Sequence, residues 1–445
     1  MNKVKFFFPY FCFSISFLLL FYTLYRSIIV YEGEKNDYYI IYYYFSIISI
    51  FFSIILFFIS KKIIEYLIII FFSSIFSLYI FELSFILNDI FSNKEQIYQN
   101  LTGKKYDTRN KQEIYNELKK SNNSEKITLT VSPATILKLK YDIELFPLSN
   151  ISNTKTIHCN ENGYYSIYQS DRYGFNNPDT EWDTKEIEFL LVGDSLTHGA
   201  CVNRPHDIGS VLRILSNKSV LNLGQGSTGP LTQYAILREY LNPNVKKVLW
   251  LYFEGNDLDD LEYEKKNDVL VKYLIDLKFN QNLKYKQNKI DELALSLVEE
   301  LAEKKRLEEK KKIFTYNFLQ FIKLYHTRTS IFTILRLKKI SIPSPSGEFI
   351  KILELTKKLT EKNNTKLYFV YLPNYYRYKM INFDTHYEST KKIVNELNIP
   401  FIDINSEVFE KEQNPLKLFP FEENGHFNIE GFKKTSEVIY KYTKE

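Results

Sequence analysis

The sequence predicts an α/β protein built on a parallel sheet, preceded by three N-terminal transmembrane helices and a small β-rich segment. Two observations carry this. Phe, Tyr and Ile crowd into three long apolar runs within residues 1–90. Beyond Glu186, short apolar runs alternate with helical stretches, and several of the apolar runs end at a glycine or a polar turn. Such alternation implies a parallel sheet covered on both faces, with ligands held beyond the carboxyl ends of its strands.

The apolar runs cover about residues 6–29, 39–59 and 63–87. Each has roughly the 20 residues a helix needs to cross a bilayer core. The first is long for a cleaved signal peptide and lacks a small-x-small cleavage pattern, so the three together are read as a membrane anchor. Lys3 and Lys5 precede the first run and Lys61-Lys62 separate the second from the third, while Glu32, Glu34 and Asp37 oppose Lys35 between the first two. The positive-inside rule then places the N-terminus in the cytoplasm and everything after about Asp89 on the far side. The expected address is an inner (cell) membrane, multi-pass, with the remaining chain periplasmic or extracellular. Arg26 is expected to snorkel at an interface.

Residues 91–126 are polar, rich in Lys and Asn, and read as a stalk, helical near 111–120. Residues 127–185 carry short alternating runs, such as Ile127–Val131, Thr156–Cys159 and Tyr164–Tyr168, separated by turn residues. Asp171–Pro178 forms a turn-rich approach to the core. Charge is balanced, with 58 Lys and Arg against 53 Asp and Glu and a net charge of +5, and no basic stripe is interleaved with aromatics. No nucleic-acid partner is expected. Of three cysteines, Cys12 lies in the first apolar run, and Cys159 and Cys201 are free to pair in an oxidising compartment. No C-x-x-C spacing occurs.

The core of residues 186–445 offers strands at Ile187–Val192, Ser219–Leu223, Lys247–Phe253, Lys366–Leu372 and Pro400–Ile404. Gly193-Asp194-Ser195 follows the first, a glycine loop (Gly224–Pro230) the second, and Glu254-Gly255-Asn256-Asp257 the third. Near the end, Glu422–Asn428 with His426 leads into a last helix. Ester chemistry needs a nucleophile, a base and donors for an oxyanion. Ser195, His426, loop amides and the Asn256 side chain supply one of each.

In order and chemistry these blocks resemble the SGNH/GDSL hydrolase superfamily, from about Ile187 to the C-terminus, interrupted by a large insertion. The resemblance implies a three-layer α/β/α flavodoxin-like fold and an esterase-type serine mechanism without metal or cofactor. It implies Ser195 as nucleophile and backbone oxyanion donor, Gly226 or Ser227 as the second donor, Asn256 as the side-chain donor and His426 as general base. The chain departs from the family pattern at Glu254, where a glycine is usual. It also departs before His426, where the family has an Asp and this chain has Glu423 and Asn424. Glu423 is preferred as the acidic member, with Asn424 the alternative.

His198, and His206 with Asp207, fit no common metal spacing. Thr197 occupies the second glycine position of a Gly-x-Ser-x-Gly elbow, which argues against the α/β-hydrolase fold. The insertion, at about 258–346, is helical and charged, with Ile290, Leu293, Leu297 and Leu301 on one face and basic runs at Lys304–Arg306 and Lys310–Lys312. It is expected either to pack over the core or to cap the active-site edge near anionic headgroups. The function this predicts is a membrane-anchored serine esterase acting outside the cytoplasm on O-acyl esters of cell-surface glycan or lipid. The alternatives are an O-acyltransferase to surface polysaccharide, or a catalytically weak scaffold among envelope-assembly partners.

Overall fold

A computed structural model describes residues 2–33, 36–90, 94–121, 126–139, 145–334, 343–379, 383 and 385–444. The chain divides into two compact units, one of residues 1–91 with 314–334, the other of residues 92–313 with 335–445.

In the first unit, helices Asn2–Leu24 (continued by a π-helical turn, Tyr25–Val30), Asn36–Leu56 and Lys61–Ile90 follow one another. Three stretches, Phe6–Val30, Tyr38–Leu56 and Lys61–Leu87, are long and apolar enough to cross a membrane. Ile48, Phe51 and Phe76 are exposed on their surfaces, as suits helices whose solvent is lipid. Helix Tyr325–Ile334 packs against the third of them. The buried Glu82 carboxylate accepts from the backbone N–H of His326 (3.0 Å) and Thr327 (2.8 Å), two donors the first helical turn leaves without an internal partner. The distal part of the expected insertion therefore groups with the apolar helices. In its proximal part, Ile290 and Leu297 are buried in the core of the second unit, and Leu293 packs against it. The side chains of Leu301 and of both basic runs lie outside the described residues, as do those of Lys3, Lys5, Glu34, Lys35, Asp37 and Asp89.

The second unit opens with helices Lys94–Thr102 and Lys111–Ser121. This polar stretch is no free stalk, because Tyr98 and Ile114 are buried and Asp107 exchanges bonds with the loop at 160–163. One apolar anchor per helix is too sparse to register as a periodic face. Strands β1 (Ile127–Leu129), β2 (Lys155–Ile157) and β3 (Ile167–Gln169) form a small sheet in that order, with β1 parallel and β3 antiparallel to β2.

The main sheet contains β4 (Ile187–Gly193), β5 (Val220–Asn222), β6 (Val245–Phe253), β7 (Lys366–Leu372) and β8 (Phe401–Asp403). All are parallel, in the order β5-β4-β6-β7-β8. Both faces are covered, so the strands read as nearly continuous apolar runs. Leu190 and Val192 face one core with Trp250, Phe369 and helices Pro230–Tyr240 and Gly347–Lys362. Phe189 and Leu191 face the other with Leu251, Val370 and helices Ile208–Ser216 and Ile429–Thr443. From β4 the chain moves to one side for β5, then crosses to the other for β6. That reversal opens a crevice at the carboxyl ends of β4 and β6.

Candidate active site

Strand β4 ends at Gly193, where a Cβ would lie 2.3 Å from Thr197 Oγ1 and 2.4 Å from the Leu251 carbonyl oxygen. Only glycine lets the chain turn there into the short helix Ser195–His198. The turn delivers Ser195 Oγ to 2.9 Å from His426 Nε2. His426 stands just before the last helix, which Asn428 caps by accepting from Gly431 N–H.

The other ring nitrogen of His426 is taken by Glu161. Its Oε1 lies 3.0 Å from Nδ1, and its Oε2 accepts the His426 backbone N–H at 2.7 Å. Neither Glu423 nor Asn424 reaches this position. Both are exposed, and Glu423 pairs with Lys94. The cause is local: Phe421 (φ 54°) and Glu422 (φ 58°) adopt left-handed conformations, so the segment before the histidine turns differently from an ordinary helix approach. The expectation that Glu423 or Asn424, just before His426, stands at Nδ1 is thereby corrected: Glu161 occupies that position. This residue sits in the loop between β2 and β3. That loop is closed by the Ser166 N–H to Cys159 carbonyl bond and tied by a Cys159–Cys201 disulfide to the turn after the Ser195–His198 helix.

An ionised carboxylate only accepts, so Nδ1 carries the proton and Nε2 presents its lone pair to the serine hydroxyl. Electrostatics agree. Burial works to raise the Glu161 carboxyl, but its bonds to the His426 ring and backbone outweigh that and hold it below the ordinary range. Burial works to lower His426, but the Glu161 bond, with the charges of Glu161 and Asp194, holds it above the ordinary histidine value.

Around the serine, a Cβ on Gly226 would stand 3.7 Å from Ser195 Cβ, so the glycine loop lies against that side chain. Thr228 N–H to Asp194 Oδ1 (3.2 Å) and Gln225 N–H to the Gly193 carbonyl (3.2 Å) clamp that loop to the sheet edge. Ser227 follows in a left-handed conformation (φ 58°) and is exposed. Asn256 also reaches the site, but its amide donates to Asp194 Oδ2 (3.0 Å) and Asp260 Oδ2 (2.7 Å), which uses both hydrogens. Burial, helped by the charges of Asp194 and Glu264, pushes the Asp260 carboxyl up to about 8.

Glu254 is not in the site. It is fully buried at the sheet edge, paired with Arg377 (2.5 Å) and bonded by Tyr371 and the Asn374 N–H (2.7 Å). Asp207 caps helix Ile208–Ser216 by accepting from Ser210 N–H (3.0 Å). His198 stacks on His158 with ring centres 4.3 Å apart. Behind the site, Asn177 brackets Asn222 through its main chain, and Asn176 donates to the His198 carbonyl (2.9 Å). The turn-rich approach thus braces both edge loops.

Ser195, His426, Gly226, Ser227 and Asn256 line a cavity of about 440 Å³, a size within the usual range for small-molecule sites. No family model and no curated protein matches the chain. It is similar to the solved structure of a G-D-S-L family lipolytic protein from Desulfitobacterium hafniense DCB-2, at 14% identity and a TM-score of 0.33, covering 57% of this chain and 99% of that one.

Proposed function

We propose that the chain is a membrane-anchored serine esterase of SGNH/GDSL type. The flavodoxin-like second unit, with its three-layer arrangement, would act outside the cytoplasm on O-acyl esters. The observation that carries this is the continuous line of hydrogen bonds from Ser195 Oγ through the His426 ring to Glu161. Such a line is what nucleophilic catalysis at a serine requires.

Ser195 Oγ attacks the ester carbonyl carbon as its proton passes to His426 Nε2, and Glu161 stabilises the resulting imidazolium. The negative oxygen of the tetrahedral intermediate is met by the backbone N–H groups of Ser195 and of Gly226 or Ser227, joined by Asn256 when it releases Asp260. Collapse breaks the C–O bond, the leaving alcohol takes the proton from Nε2, and an acyl-serine remains. Water, activated by the same nitrogen, then hydrolyses it. A second alcohol in place of water would make the same site a transferase. The scaffold reading loses its main support, since a carboxylate does stand behind His426. The Cys159–Cys201 disulfide supports an oxidising compartment.

The test is fluorophosphonate labelling of the full chain in detergent, beside turnover of an aryl acetate. Wild type labels and turns over, and Ser195→Ala abolishes both. A folded wild-type chain that does neither removes the esterase reading.

A further inference from the structure

One wall of the cavity does not come from the α/β core. It is built by the preceding segment, from Lys111, Thr130, Ser132, Thr135 and His158. Lys111 Nζ donates to Thr130 Oγ1 (2.6 Å), and the hydroxyls of Ser132 and Thr135 are bonded to each other (3.1 Å). The side chains of Lys111, Thr130, Ser132 and Thr135 are partly exposed. Behind them, both ring nitrogens of His198 and Nε2 of Gln225 are buried at the same cavity with no hydrogen-bond partner among the described residues. Groups of this kind ask for an explanation. Phe253 and Ala200 are the carbon-lined patches near the serine, enough for a short acyl group. An alkyl chain laid along the opposite wall would strip water from hydroxyls, an ammonium and imidazoles without returning hydrogen bonds.

We infer that this wall is the subsite for the alcohol half of the ester, and that the alcohol is a glycosyl unit. A sugar presents closely spaced hydroxyls that both donate and accept. Burial holds both imidazoles well on the neutral side, His198 down to about 3. Each ring therefore carries one donor and one acceptor. The acyl group then sits over Ser195 by Phe253, and the sugar lies between His158 and Lys111. The assignment rests on the esterase reading for the reaction, but not for the binding.

Two arms test it on the full chain in detergent. In the first, kcat/KM is compared for 4-nitrophenyl acetate and a mono-O-acetyl hexose in wild type, His198→Phe (which keeps the ring stack) and Lys111→Met. The expected result is a loss on the acetyl sugar at least tenfold larger than on the aryl ester, mostly in KM. Equal losses on both esters, or no loss on the sugar, overturn the subsite. In the second, saturation-transfer NMR measures binding of methyl glycosides of glucose, galactose, N-acetylglucosamine and glucuronic acid to Ser195→Ala. Binding of at least one, weakened by adding Lys111→Met, supports the subsite, and binding of none refutes it. If wild type hydrolyses nothing while Ser195→Ala binds sugar, the esterase reading fails and the subsite stands.

Discussion

Glu161 engages His426 at two points, the ring Nδ1 and the backbone N–H. One carboxylate therefore fixes the tautomer and the ring orientation together, a stricter arrangement than a single bond. Asn256 is the counterexample at the same scale. Its amide hydrogens both go to carboxylates, and stabilising an oxyanion requires one to be released. Asp260, held near 8, is mostly protonated at neutral pH and is the weaker acceptor. As pH rises through about 8 it ionises and grips the amide. In wild type, kcat is expected to fall across that interval. Asp260→Asn, with a permanently neutral acceptor, should flatten this alkaline fall; pH–rate profiles with an aryl acetate decide. At this scale the sequence was legible for Ser195 and His426, because each follows or precedes an element that periodicity reveals. Glu161 was not legible, because it lies 34 residues before the serine in a short irregular loop and a search confined to the approach to His426 passes over it. A signal existed: pairing Cys159 with Cys201 puts residue 161 beside the turn after Ser195.

Among elements, the β2–β3 loop is tied to the turn after Ser195 by the Asn162 amide donating to the Cys201 carbonyl (3.0 Å) and by the Cys159–Cys201 bridge, which spans 42 residues. Closing a loop of that size restricts the unfolded chain by about 4 kcal/mol on the chain-entropy model. The same bond holds Glu161 against His426. Replacing both cysteines by serine should lower the melting temperature and also reduce kcat by about tenfold or more, through loss of the carboxylate's register. Calorimetry and aryl acetate kinetics measure the two effects separately. A lower melting temperature with unchanged kcat would show that the loop keeps its place without the bridge. The strands of the main sheet were readable because continuous apolar runs ending at a glycine or a polar turn leave few alternatives. β1–β3 were readable only in outline, since three-residue strands barely show a period. The polar stretch before them hid two packed helices, because Tyr98 and Ile114 are single anchors.

For the whole molecule, three apolar helices precede a unit whose chemistry and disulfide suit an oxidising compartment. On the orientation proposed from the positive-inside rule, three crossings with Lys61-Lys62 inside would put Ser195 and the C-terminus on the same, outer side. A phosphatase reporter fused after Glu445 should be active in the periplasm; activity of a cytoplasmic reporter there instead would reverse the orientation. The division of the long insertion was not visible in its composition. Its charged helix and its apolar continuation read as one amphipathic stretch, and the partner that separates them, Glu82, lies more than two hundred residues earlier.

The account turns on which carboxylate stands behind His426, and one kinetic comparison addresses it. Glu161→Gln keeps the side chain's shape but removes the charge that stabilises the imidazolium. It should lower kcat for an aryl acetate by roughly 10³-fold or more and move the acidic limb of the pH–rate profile to lower pH, since the charge that raises His426 is gone. Glu423→Gln should leave both within about twofold, as expected for an exposed pair with Lys94. A large loss in Glu423→Gln with near wild-type kinetics in Glu161→Gln would contradict the account.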